Sequence, residues 1–507
     1  MFIHSSDPKR WLLLLAVMLA FLPVVLDMTI LHVALPTLTQ ALNASGTEVL
    51  WIIDIYPLLM AGLLVPMGTL SDRVGNRKIL LTGLIIFAFA SVWAAFAPNA
   101  AAMIAARVFL ALGGAMIMPC VLGLIRKTFE DDDERAMALG LWGSVGSAGA
   151  AVGPLVGGAL LEHFWWGSVF LVNVAVMLVV VPACWLLLPR VEETTQGKWP
   201  IGQALLLIAG MISVVYGIKA GFSGKQSLAV TALMIAVGIA VLTLFARKQL
   251  RASEPMLDLT LLSNPPIFAG LTMAIVASGA LAGVELTLAQ ELQYVLGKTP
   301  LQAGLFMVPI MAAAASGGPV AGYLSNRFGL RNVASLSMAI ASLALVFLAL
   351  SDFHAPGYLV PLALALLGLT LSIGLTASSI AIMGAVDASK GGAAGSLEAT
   401  GYELGTGLGI TLFGVFLSGV FRRAIDLPDN LTPELAAQAA QTIGDTYIVA
   451  ARLGGAEGEG LIAAGKIAFT QAHAVLLTTS AGVIMALAVV VFMALAQHRT
   501  PVAASHH

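Results

Sequence analysis

The chain has 507 residues, of which 59% are hydrophobic and only 10% charged, with a formal net charge of −2 at pH 7. An ordinary soluble domain is about a quarter charged. A water-facing surface cannot be built from so few charges, so a soluble enzyme or a nucleic-acid binder is excluded and most of the exterior faces lipid.

Fourteen apolar runs separated by short polar breaks have the length of about 20 residues that crosses a bilayer as a helix. They are expected at 11–35, 48–70, 79–97, 100–122, 138–161, 168–188, 201–218, 228–245, 267–289, 301–324, 333–350, 357–383, 395–420 and 469–495. Lys9 and Arg10 precede the first run as they would in a secretory signal. The run continues through Asp27 and His32 to Pro36 without a small-residue cleavage site, so an uncleaved helix is expected. Asp27 lies about 16 residues into it, ~24 Å along a helix at ~1.5 Å per residue. It is expected to face a central cavity and titrate, the plainer alternative being a structural hydrogen-bond acceptor. In the second run Asp54 stands one turn from Trp51, so a carboxylate and an indole share a face. That pair suits a lipophilic cation by charge and by cation–π attraction. If Asp54 lies at the outer interface, Trp51 is a belt residue instead.

The segment after span two, GTLSDRVGNRK (68–78), returns after span ten as GYLSNRFGLRN (322–332). Gly68 and Gly322, Ser71 and Ser325, Arg73 and Arg327, Gly75 and Gly329, and Arg77 and Arg331 coincide. The match marks a parallel repeat. The expected fold is an all-α membrane protein of fourteen transmembrane helices, two pseudo-symmetric six-helix bundles plus two inserted helices. Its divisions would be 1–200, 201–250 with the inserted pair, and 251–507 with a long external loop at 421–468. In the first turn, Gly68 is expected to let two helices approach closely. Asp72, just past the helix end, would cap a neighbouring helix. Arg73, Arg77 and Lys78, flanking Gly75, would anchor the loop at an anionic leaflet. The turn is either a topological anchor alone or a latch that breaks as the bundles rock.

Arg107 is an intramembrane cation expected to pair with a carboxylate or with backbone carbonyls of another helix. The acidic run at 130–135 reads as a solvated turn. Gly143, Gly146, Gly149, Gly153, Gly157 and Gly158 form a ridge of small residues in span five, bent by Pro154. Lys219 and Lys225 fall in a short external loop at 219–227. Glu285 lies toward the outer end of span nine with Glu291 in the loop beyond, so a vestibule role competes with a binding one. Glu398 and Glu403 on span thirteen are about 140° apart around a helix, so they do not share one cavity direction. Glu403 is deeper and is favoured for the transport path. The stretch 421–468 would be a lid or a flexible loop. Cys120 and Cys184 fall in apolar spans and suggest packing. Most of the 25 Lys and Arg lie on the side of the N-terminus, which puts both ends, with Arg499, in the cytoplasm. His506 and His507 receive no role.

The chemistry is expected of the acids inside spans, Asp27, Asp54, Glu285, Glu398 and Glu403. A charge in hydrocarbon is costly enough that each is a functional candidate. A carboxyl group deprived of water takes up a proton readily, and a nearby cation expels it again, which links cation binding to proton release.

GTLSDRVGNRK resembles the loop motif of the major facilitator superfamily, and LDMTILHVALP (26–36) the first-span motif of its fourteen-span drug:proton antiporter branch. WIIDIY (51–56) is similar to the second span of quaternary-ammonium and methyl viologen exporters of the QacA and SmvA type. GAAVGPLVGG (149–158) resembles the fifth-span antiporter motif. The resemblance covers the whole chain. It departs after Arg107, where Leu110 and Ala111 replace a Gln-Gly pair, and at His32, where Asn is commoner.

The resemblance implies a proton-coupled antiporter that exports quaternary ammonium biocides, dyes and viologens by alternating access. It implies that Arg107 supports proton transfer, a structural pairing being the alternative, and it strengthens Glu398 and Glu403. With the reading of the residues themselves, this assigns Asp27, Glu403 and Arg107 to proton coupling and Asp54, Trp51, Glu398 and Glu285 to substrate contact. Gly149, Gly153, Pro154, Gly157 and Gly158 would act as a seal, or in packing alone. A bacterial inner-membrane location and a functional monomer follow as expectations. No GxxxxGK[ST] pattern, metal-ligand cluster or nucleophile constellation is present, so no enzyme and no cofactor beyond a proton gradient is expected. The alternative is a permease of the same fold for metabolites or for neutral or anionic compounds.

Overall fold

A computed structural model describes residues 8–192, 194–387 and 390–496; Arg499, His506 and His507 lie outside them. The helices are α1 (Lys9–Leu42), α2 (Gly46–Val74), α3 (Asn76–Ala95), α4 (Ala100–Thr128), α5 (Asp132–His163), α6 (Ser168–Leu187), α7 (Ile201–Ser223), α8 (Leu228–Arg251), α9 (Pro265–Gln290), α10 (Pro300–Phe328), α11 (Leu330–Ala349), α12 (Leu359–Gly384), α13 (Gly391–Ala424), α14 (Pro433–Ala439), α15 (Ile443–Leu453) and α16 (Gly455–Ala494). Among the described residues fourteen helices, α1–α13 and α16, are long and apolar enough to cross a membrane.

Local sequence sets the helix ends. Ser45 accepts the Glu48 N–H at 3.2 Å while Glu48 accepts the Ser45 N–H at 3.1 Å, a reciprocal cap on α2. Thr299 and Gln302 make the same cap on α10, the helix in the corresponding place of the second repeat. The duplicated turn is also alike in space. Gly75 and Gly329 take φ of +110° and +87°, values that side chains resist and that let α3 and α11 restart at once. Arg77 donates to the carbonyls of Trp185 and Leu188 at the end of α6. Its counterpart Arg331 donates to the Phe492 carbonyl near the end of α16. Each arginine satisfies last-turn carbonyls that have no partner within their own helix.

Those bonds correct the reading of this turn. Asp72 lies inside the last turn of α2, exposed, and is not a cap beyond it. A Cβ on Gly68 would meet Pro119 at an ordinary 3.5 Å, so no close approach requires a glycine there. Arg77 works within α1–α6, and Arg73 and Lys78 are exposed.

Helices α1–α6 pack around one apolar core, and α9–α12 with α16 around another. The α7–α8 hairpin lies beside them, with α7 against α2 and α13 and α8 largely exposed. Between the groups, α5 touches α10 at one end only. A Cβ on Gly158 would lie 2.5 Å from Leu301 Cα, and one on Gly304 2.7 Å from the Pro154 carbonyl oxygen. At the other end of the same helices, Gly140, Gly143 and Gly322 face open space. The two helices are therefore closed at one face of the bundle and splayed at the other, where the chain begins.

The closed face carries a folded cap. Thr442 N-caps α15, and Asp445 accepts the Gly46 N–H at 3.3 Å and the Thr442 hydroxyl at 2.8 Å. Gln441 bridges Arg422 of α13 and the Ser223 carbonyl of α7. The 421–468 stretch is thus ordered, and α16 starts at Gly455, well before the expected 469. The 130–135 run is also more than a turn, because Asp131 N-caps α5 and Glu134 pairs with Arg10 of α1.

Candidate functional site

The splayed end leads into a cavity of about 430 Å³ between the two helix groups. It is lined by α1, α2, α4 and α5 on one side and by α9, α10, α12 and α13 on the other. Phe21, Tyr56, Trp142 and Tyr402 supply aromatic walls, and Met28, Met60, Met118 and Met311 supply adaptable apolar ones. Two carboxyl groups enter it, Glu285 from α9 and Glu403 from α13, both in chain segments buried from outside. Among the described residues no Lys or Arg lines it; His32 is the one basic side chain, with Nε2 3.5 Å from Glu285.

Glu285 is therefore deeper than expected. Helix α9 continues through a π-helical turn over Glu291–Val295, which places Glu285 about 15 Å from the end of that element at ~1.5 Å per residue. Glu291 is not in a loop but buried in that turn, 2.6 Å from His473 Nδ1 of α16, whose Nε2 lies 3.1 Å from Thr287. Glu398 does not reach the cavity; it accepts the Ser379 hydroxyl of α12 at 3.2 Å and is half-buried.

Asp27 is absent from the cavity wall. It is 3% exposed and paired with Arg107, itself 0% exposed. Arg107 also donates from Nε to the Ile52 carbonyl at 2.8 Å and lies 4.6 Å from the centre of the Tyr56 ring. Three helices, α1, α2 and α4, converge on this buried pair, which occupies Nη1 and Nε of Arg107 and leaves its Nη2 buried without a hydrogen-bond partner. Tyr56 puts one face on Arg107 and another on the cavity, so the pair sits one side chain behind the wall.

Asp54 is paired as well. Lys219 is not in an external loop, because α7 runs on to Ser223 and carries it 2% exposed. Its Nζ lies 2.7 Å from Asp54 Oδ2 and 3.5 Å from the centre of the Trp51 ring, and the Thr411 hydroxyl of α13 donates to Asp54 at 2.7 Å. The face that carries Trp51 and Asp54 thus holds a cation from the protein itself. Of the span acids expected to carry the chemistry, two thus have a fixed lysine or arginine partner, Asp27 and Asp54, and two, Glu285 and Glu403, lie in the cavity without one among the described residues.

The glycine ridge fits α5 against α1 and α10. Gly153 sits on Thr29, where a side chain would collide, Gly157 lies tightly against Ile30, with 3.1 Å left for a Cβ, and Gly158 meets α10. Cys120 and Cys184 are free and buried.

A model of the Major Facilitator Superfamily matches residues 17–410. The chain is 44% identical to the methyl viologen resistance protein SmvA of Salmonella typhimurium, over 96% of this chain and 99% of that one. It is 35% identical to the multidrug efflux pump LfrA of Mycolicibacterium smegmatis, over 96% and 97% respectively. A solved bacterial homologue of the human lysosomal transporter Spinster, in an inward-facing and unoccupied conformation, shares the fold at a TM-score of 0.69 and 19% identity over 98% of this chain and 100% of that one. With a family match across most of its length and these relatives, the chain belongs to the Major Facilitator Superfamily.

Proposed function

We propose that this protein is a proton-coupled antiporter that exports lipophilic organic cations, among them quaternary ammonium compounds, dyes and viologens, by alternating access. The observation that carries this reading is the cavity itself: Glu285 and Glu403 stand among aromatic and methionine side chains with no lysine or arginine among the described residues that line it. Its size falls in the usual range for small-molecule sites, about 300–1,000 Å³. An apolar cation loses little on leaving water for such walls and gains the attraction of carboxylate and ring faces. A proton and a cation compete for the same two carboxylates, so each lowers the affinity for the other by the same factor. The names of SmvA and LfrA, a methyl viologen resistance protein and a multidrug efflux pump, support the same substrate class.

In this reading Glu285 and Glu403 exchange proton for substrate, while Asp27 and Arg107 act from behind Tyr56. The units that rock are residues 1–200 and 251–507, with the 201–250 pair between them. The Lys and Arg bias supports placing the splayed face and both termini at the cytoplasm of a bacterial inner membrane. A working monomer and the proton gradient as energy source complete the reading.

Everted vesicles with an imposed pH gradient test it. Wild type accumulates ethidium, and the Glu285→Gln/Glu403→Gln variant, which keeps side-chain shape, falls at least tenfold. Gradient-driven ethidium flux that survives in the double variant removes the proposal, as does a wild type that moves no cation.

A further inference from the structure

The cation that Asp54 holds comes from the inserted helix pair, and it is held as an organic cation would be. Lys219 Nζ stands 3.5 Å above the Trp51 ring centre while touching Asp54 Oδ2 at 2.7 Å. A charge over an indole face with a carboxylate at its edge is the arrangement that recognises alkylammonium ligands. Lys219 and Thr411 both meet Asp54 Oδ2, which leaves Asp54 Oδ1 buried as an acceptor without a partner. The parts come from different bodies. Trp51 and Asp54 ride on α2, Thr411 on α13, and only the lysine rides on α7. A crevice that Lys219 helps to line, together with Ser223, Gln441 and Thr442, runs toward the cap, on the side away from the splayed entrance.

We infer that Trp51, Asp54 and Thr411 form a second cation site, for a monovalent lipophilic cation, which Lys219 fills as a tethered competitor in this conformation. Movement of α7 relative to α2 empties the site for a cation travelling toward the capped face. Return of the lysine expels that cation and bars re-entry. This gives the inserted pair a task in the cycle. It rests on the cation-exporter reading for its ligand class, and it deepens that reading by adding a site outside the central cavity.

The test is equilibrium dialysis of purified protein against radiolabelled tetraphenylphosphonium. Wild type reports on the proposed function, with one equivalent bound and lost in Glu285→Gln/Glu403→Gln. The difference between wild type and Lys219→Met reports on this inference. Lys219→Met, which keeps the length of the side chain without its charge, binds a second equivalent. That second equivalent is retained when Glu285 and Glu403 are neutralised and disappears in Lys219→Met/Asp54→Asn. Lys219→Gln, which removes the charge and keeps a polar end group, carries the same comparison if the methionine variant does not fold. An unchanged stoichiometry in a folded lysine variant overturns the inference. So does a chain that folds without Lys219 only when Asp54 is neutralised too, because the pair is then structural.

Discussion

Arg107 has no exposed atom, and its guanidinium meets Asp27, the Ile52 carbonyl and the Tyr56 ring at once. Removing one member of a buried pair leaves the other charge uncompensated, at a cost of about 3–5 kcal/mol, whereas replacing both with apolar groups is close to neutral. Arg107→Leu is therefore expected to lower the thermal midpoint of the detergent-purified protein sharply, and Asp27→Leu/Arg107→Leu to recover most of the loss. A midpoint for the double variant as low as that of the single one would show that the pair does not act as a unit. The sequence disclosed that Arg107 needs a partner on another helix, because a cation in hydrocarbon always does. It did not disclose the partner, since pairing across α1 and α4 depends on helix rotation, which periodicity leaves free. Lys219 escaped for a simpler reason. The apolar run ends at 218, which by hydropathy alone puts Lys219 outside, whereas Gly224, left-handed just beyond Ser223, marks where the helix stops.

The cap shows how much a polar stretch can hide. Pro433 opens α14 and Thr432 and Thr442 cap α14 and α15, but nothing local says where such short helices dock. Docking uses Gln40 on the Gly444 carbonyl, Tyr447 on the Tyr294 carbonyl and Asp445, and the Asp445 carboxyl is pushed up to about 6 by burial, despite bonds from Thr442 and Gly46 that favour the charged form. The docked value lies above the ordinary one for aspartate, so the docked cap binds the proton more tightly than a free one. Its contribution is full below about pH 4 and is lost as pH rises through about 6. Hydrogen exchange, corrected for its intrinsic pH dependence, is expected to show α15 less protected at pH 7 than at pH 5. Asp445→Asn should flatten that difference. Equal protection in wild type at the two values would contradict the assignment.

Two helix groups that meet at α5 and α10 on one face and part on the other describe one end-state of a rocking pair. Gly158 and Gly304 set how closely that face shuts. Gly158→Val places branched carbons against the Leu301 backbone, which rigid neighbours cannot yield cheaply; overpacking of this kind costs about 1–3 kcal/mol. The variant is expected to keep its fold, lose export and raise passive proton leak in liposomes, read with a pH-sensitive dye. A tight variant with normal export would mean that the contact is incidental. The duplicated turn made this architecture legible from residues alone, and the capping boxes and the matched Arg77 and Arg331 bonds repeat it in space. The cavity was legible only as a supply of acids. Which of them face it depends on a π-helical turn and on two internal cations, neither of which has a periodic signature.

Helix α16 has 40 residues and so spans about 60 Å, twice the ~30 Å of a hydrocarbon layer. The same rod that packs along α11 also carries α15 at its far end. A tilt of about 10° on a 30 Å arm swings its tip by roughly 5 Å. Any lean of the second helix group is therefore delivered to the roof of the molecule as a lever stroke, along a helix unbroken from Gly455 to Ala494.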